Sequence, residues 1–176
     1  MPFVLAILAA IGGVIFWMLR ARSAAHGARE LMDMANDVRL AARRFGFRRN
    51  AGQHPVESIE EAPVAVATLG VAYLELDGLP SREQQVALGR GLQRELGLSL
   101  GDAEELVILG RWLVNECGGP LQAVPRTARK LYKLDGGASF SQMLGVFKEI
   151  SGEAGGAVSE RQAEALADIK RAFHIS

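Results

Sequence analysis

A chain of 176 residues suffices for one domain and a tail, and its formal charge sums to zero. With 49% hydrophobic residues it can bury a core, which excludes a disordered chain, and a single cysteine, Cys117, excludes a disulfide framework and a cysteine-based zinc site. The zero balance hides an asymmetry: residues 20–49 carry eight arginines against Glu30, Asp33 and Asp37, so the remainder is net acidic. A basic stretch beside an apolar N-terminus points to a membrane face before it points to nucleic acid.

Residues 3–19 read FVLAILAAIGGVIFWML, with no charged or strongly polar side chain. As a helix this run measures about 25 Å, the short end of a bilayer span. Trp17 falls near its end, where an aromatic ring favours the interface, and Arg20 and Arg22 follow at once, within reach of headgroups. The pattern predicts a transmembrane helix over 3–19. A cleaved signal peptide is the first rival, but no basic side chain precedes the apolar run, and the small residues Ser23, Ala24 and Ala25 come only after two arginines. A buried core helix is the second. Since the arginines lie C-terminal to the run, the positive-inside rule predicts one pass, with the N-terminus outside and the C-terminal domain in the cytoplasm. Gly12-Gly13 does not make a GxxxG motif, so helix pairing in the bilayer gains no support.

Residues 20–45 read as a basic helical stalk. Leu31, Met34, Val38 and Ala41 or Ala42 recur at helical spacing and give one apolar face. Arg39, Arg43, Arg44, Arg48 and Arg49 cluster at its end. They fit a solvated helix C-terminus, where cations suit the dipole. Contact with anionic headgroups is the other reading; about 30 Å of stalk, beyond the Debye length, argues against it for Arg48 and Arg49. Residues 46–56, beginning GFRRNAGQHP, read as a linker. His54-Pro55 matches two positions of the J-domain signature, but Val56 replaces its aspartate, and a J domain is rejected.

From residue 57 to the end every segment reads helical. Pro63 suits the first turn of a helix that runs to about Leu76 and is apolar nearly all round, as a central bundle helix must be. Ser81 and Gln84 form a capping box that opens the next helix, which ends at Gly97. Ser99 and Asp102 open another, running to about Cys117 and stopped by Gly118-Gly119-Pro120. Between Leu121 and Leu134, Pro125 predicts a short turn before a helix resumes, and Asp135-Gly136-Gly137 breaks it. A helix from Phe140 to Ile150 follows, then a glycine-rich loop, then a last helix that Ser159 and Gln162 cap and that reaches Phe173. Sustained period-two alternation is absent, so the predicted fold class is all-α.

Two stretches echo each other: LGVAYLELDGLPSREQQ at 69–85 and LGVFKEISGEAGGAVSERQA at 144–163. Each has Leu-Gly-Val, a glycine turn and then Gly-x-x-Ser-x-x-Gln, at Gly78, Ser81, Gln84 and at Gly156, Ser159, Gln162. The helices that follow end alike, as Leu96-Gly97-Leu98-Ser99 and Phe173-His174-Ile175-Ser176. This predicts a duplicated helix-turn-helix. The arrangement resembles the TerB-like family, related to tellurite-resistance proteins and to the N-terminal region of the membrane co-chaperone DjlA, over about 57–176. The resemblance implies a compact all-helical bundle in a bacterial, stress-linked adaptor at the inner membrane, with a cytoplasmic protein partner. Some family members are proposed to bind metal through acidic residues of a turn of the type Asp-Gly-x-(Leu/Ile)-Ser-x-x-Glu. In the first turn here Asp77, Gly78 and Ser81 match, Gln84 replaces the glutamate and Glu83 stands one place early. In the second, Gly155 replaces the aspartate and Gln162 the glutamate. Two scattered carboxylates are too few for the six or more oxygens calcium takes.

No Walker loop, dinucleotide fingerprint, nucleophile elbow or His-Glu-x-x-His is present, and His26, His54 and His174 have no evident partner in sequence. The basic residues Arg126, Arg129, Lys130 and Lys133 fall at a helix end of an acidic domain, which argues against nucleic acid. The expectation is therefore an interaction module with no catalytic, cofactor or metal residues and no small-molecule substrate, tied to the bilayer by 3–19. The alternative is a tethered divalent-metal sensor using Asp77, Glu83 and Glu153.

Overall fold

The computed structural model describes residues 35–153 and 155–175, so the predicted membrane helix and most of the predicted stalk lie outside the described residues. The described part is all-helical, without strands. The chain divides after Asp37 into two units; of the first, residues 35–37 are described, helical and exposed. In the second, residues 38–44 are helical (α1), Pro55–Ser58 form a single 3-10 turn, and six helices follow: α2 Ala62–Glu75, α3 Arg82–Leu96, α4 Leu100–Glu116, α5 Pro120–Asp135, α6 Phe140–Glu153 and α7 Glu160–Ala172.

Helix α2 is the centre. Every residue from 64 to 74 is buried, and α4, α5 and α6 pack around it. An all-apolar helix has no face for water and must sit inside. Its polar atoms are satisfied locally: Thr68 Oγ1 donates to Val64 O at 2.7 Å, and the Tyr73 hydroxyl meets Ser151 Oγ at 3.1 Å. The outer helices α3 and α7 are amphipathic; α3 packs chiefly on α6, and α7 on α5. Two glycines set how closely the helices approach. A Cβ at Gly110 on α4 would stand 3.2 Å from the Thr68 backbone nitrogen on α2, and one at Gly91 on α3 would stand 3.2 Å from the Val146 Cα on α6. In both places one helix rests on another's backbone.

Three expectations are corrected. The compact unit begins at Val38 rather than at residue 57. Ala41, Phe47, Val56 and Ile59 are buried in the same core as α2, and the Phe47 ring meets Trp112 edge-on at 5.8 Å. Arg44 pairs with Asp102 and Glu105, and Arg49 lies 3.8 Å from Glu116. The polar sequence 46–55 looks like a spacer because its anchors, Phe47 and Arg49, show no periodicity. Secondly, α5 is one helix through Pro125. Pro120 occupies its first turn, so Pro125 falls early, and the carbonyl it leaves unpaired belongs to Leu121, an exposed residue where water can bond it. Thirdly, α6 continues past Ile150 to Glu153, where Arg90 and Arg94 of α3 pair with Glu153 and Glu149.

Candidate functional site

The two turns flagged in the sequence lie at one end of the bundle. Ser81 Oγ accepts the Gln84 amide at 3.2 Å while the Gln84 side chain accepts the Ser81 amide at 2.9 Å; Ser159 and Gln162 repeat this at 3.1 Å in each direction. The helices also stop alike. Gly97 and His174 both take left-handed conformations, φ 67° and 56°, and the next amides reach back five residues, Leu98 to Gln93 O at 3.1 Å and Ile175 to Lys170 O at 3.0 Å. Side chains bring the turns together. Tyr73 of α2 stacks on Phe147 of α6, centroids 4.2 Å apart and planes 6° off parallel, and its hydroxyl bonds Ser151. Arg161, at the start of α7, donates to Leu76 O at 3.1 Å, closing the end of α2. Sequence reading missed Arg161, because nothing in a helix's first turn marks a residue that caps a different helix.

Burial pushes the Tyr73 hydroxyl above its ordinary range; Ser151 opposes this and Asp77 adds to it. The shift goes with burial and needs no chemistry. On the solvent side the turns expose large apolar side chains, Leu79 in the first and Val158 in the second, with Val86 on α3 also exposed.

The candidate metal ligands do not converge. Asp77 and Glu83 are exposed. Hydrogen bonds from its own backbone amide and from Ser81 hold the Glu83 carboxyl below its usual range, which is helix-start chemistry. Glu83 and Glu153 line one groove, but Arg82 and Arg90 share it, Arg90 is the ion-pair partner of Glu153, and Asp77 is not part of it. Among the described residues no group of three or more His, Cys, Asp or Glu side chains is arranged to hold a metal ion. Of the histidines, His26 lies outside the described residues; His54 Nδ1 accepts the Val56 amide at 3.3 Å and caps the 3-10 turn; His174 lies just past the end of α7 with its ring 5.1 Å from Tyr132. Cys117 is half-buried at the end of α4, and burial raises its thiol pKa, which disfavours the reactive thiolate.

Among the described residues no helix is long and apolar enough to cross a membrane. No protein-family model, characterised protein or solved structure matches the chain.

Proposed function

We propose that the chain is a membrane-tethered interaction module of TerB-like type, without catalytic activity, whose bundle presents its paired-turn end to a cytoplasmic protein partner in a bacterium, in a stress-linked role. The observation that carries this reading is the pair of turns: two capped helix starts brought to one end of the bundle, where they leave Leu79, Val86 and Val158 uncovered, on two helices that also share a left-handed stop. These matches support a duplicated helix-turn-helix, the feature on which the resemblance rests. The tether is read from the sequence, from the uncharged run 3–19 followed by Arg20 and Arg22.

Location and binding are tested separately. The full chain is expected to resist alkaline carbonate extraction, and a reporter active only outside the cytoplasm is expected to stay silent when fused after Ser176. Release by carbonate overturns the anchor, and an active reporter overturns the orientation. For the surface, a protein cross-linked to the full chain in membranes is expected to be lost on Leu79→Glu with helicity unchanged; equal recovery from the variant overturns the assignment of that end.

A further inference from the structure

A second feature lies away from the paired turns. Between α5 and the end of α7 is a cavity of about 460 Å³ lined by Pro125, Arg129, Tyr132, Lys133, Asp168, Arg171, Ala172 and His174. Two other grooves on the bundle are as large, so its lining and not its size sets it apart. Its charge is unlike theirs. The groove holding Arg94 and Lys148 also holds Glu149 and Glu153; the one holding Arg111 also holds Glu75; the one holding Arg82 and Arg90 also holds Glu83 and Glu153. Here Arg129, Lys133 and Arg171 face a single carboxylate, Asp168, already paired with Arg171. Arg129 and Lys133 stand one turn apart on the same face of α5, with no carboxylate partner among the described residues.

Helix dipoles explain part of this arrangement. The last turns of α5 and α7 attract cations, and Lys133 and Arg171 are placed for that. Arg129 lies a turn further back, and His174 lies beyond the end of its helix. His174 is also the one non-glycine among the described residues with positive φ, at the position Gly97 fills after α3. A left-handed non-glycine residue is strained by about 1–2 kcal/mol, and such strain clusters where a side chain is needed in one place. Its ring is held edge-on against Tyr132, on the cavity wall.

We infer that this cavity binds an organic phosphate, with Arg129, Lys133 and His174 on the phosphate oxygens and the organic part against Tyr132 and Pro125. Guanidinium and ammonium groups together match a phosphate's charge and acceptor geometry, and an aromatic face with an adjacent proline suits a small apolar or ring-shaped body. The same chemistry is offered by a soluble phosphate ester and by an anionic lipid headgroup.

The test uses the full chain in lipid nanodiscs and reads its melting temperature. Phenyl phosphate, compared with sulfate at equal ionic strength, is expected to raise the melting temperature in phosphatidylcholine discs. In the double variant Arg129→Gln, Lys133→Gln its dissociation constant is expected to be about tenfold weaker or more, given the strength of hydrogen bonds to charged groups. Lys148→Gln, an exposed cation elsewhere, is expected to bind as the wild type does, and circular dichroism checks that each variant keeps its helices. A rise with phenyl phosphate that the double variant loses supports a soluble ester. A rise on exchanging phosphatidylcholine for phosphatidylglycerol, lost in the same variant, supports a lipid headgroup. No rise with either probe, or an equal rise in wild type and double variant, overturns the site.

Discussion

The turn from α2 to α3 and the turn from α6 to α7 meet the same requirement with different residues. Both must start a helix in water, and both do so with a serine and a glutamine that exchange hydrogen bonds. Both second helices end in a left-handed residue, but one uses glycine and the other histidine. The first turn carries Asp77 where the second carries Gly155, and the caps are the same with or without the carboxylate. What recurs is what an isolated helix end needs; what differs is free to serve something else. The first helices differ more. Helix α2 is buried on every side, whereas α6 buries one face and gives α3 the other, with Glu149 and Glu153 paired to arginines across the gap.

Truncations and substitutions separate these contributions. The largest effect is expected from the segment that neither turn contains. A fragment from Val38 should fold alone, and one from Gln53 should be less stable by about 3–5 kcal/mol, because it lacks Phe47 as a Phe→Ala change would. Denaturant unfolding of both fragments checks this; equal midpoints would show that residues 38–52 add nothing. One carboxylate that this segment touches is sensitive to acid. Ser99 foremost, with Arg44, holds the Asp102 carboxyl below its ordinary range, so its contribution is present above the usual carboxylate range and fades as pH falls through the lower folded value.

Next comes the central crossing. Gly110→Leu should cost about 1–3 kcal/mol or more, since the added atoms meet the backbone of Thr68 rather than a side chain that can turn away. A melting temperature within error of the wild type would mean that α4 can back off. Smaller effects separate the turns themselves. Ser81→Ala and Ser159→Ala should each cost about 0.5–2 kcal/mol, and by similar amounts if the caps are equivalent. At the stops the signs should diverge: Gly97→Ala should cost about 1 kcal/mol, while His174→Gly should stay within about 0.5 kcal/mol, because relief of left-handed strain offsets the lost ring contact with Tyr132.

Helix ends were the most legible part of the fold, since capping is local chemistry: Ser81, Ser99, Ser159 and Gly97 stand where the sequence puts them. The all-apolar pattern of α2 was legible for the same reason, because burial on every side leaves no other composition. The rest depends on partners distant in sequence. That Phe47 lies on Trp112, that Arg161 closes α2, and that Pro125 falls early enough in α5 for an exposed carbonyl to lose its bond are facts of packing, without a periodic trace. The turn end was legible as a repeated motif. The α5–α7 cavity was visible only as basic residues at a helix end, because Arg171 and His174 come from another helix.

On the reading proposed above, the paired turns are structural starts of a binding surface rather than metal loops. Thermal unfolding of the wild type, Ser81→Ala, Ser159→Ala and Asp77→Asn, each with chelator and with millimolar calcium or manganese, tests it most directly. Both serine variants are expected to melt lower, Asp77→Asn to melt within about 0.5 kcal/mol of the wild type, as surface changes do, and none of the four to respond to metal. A metal-dependent rise in the wild type that disappears in Asp77→Asn would contradict it, since a ligand that binds only the native state must raise the melting temperature.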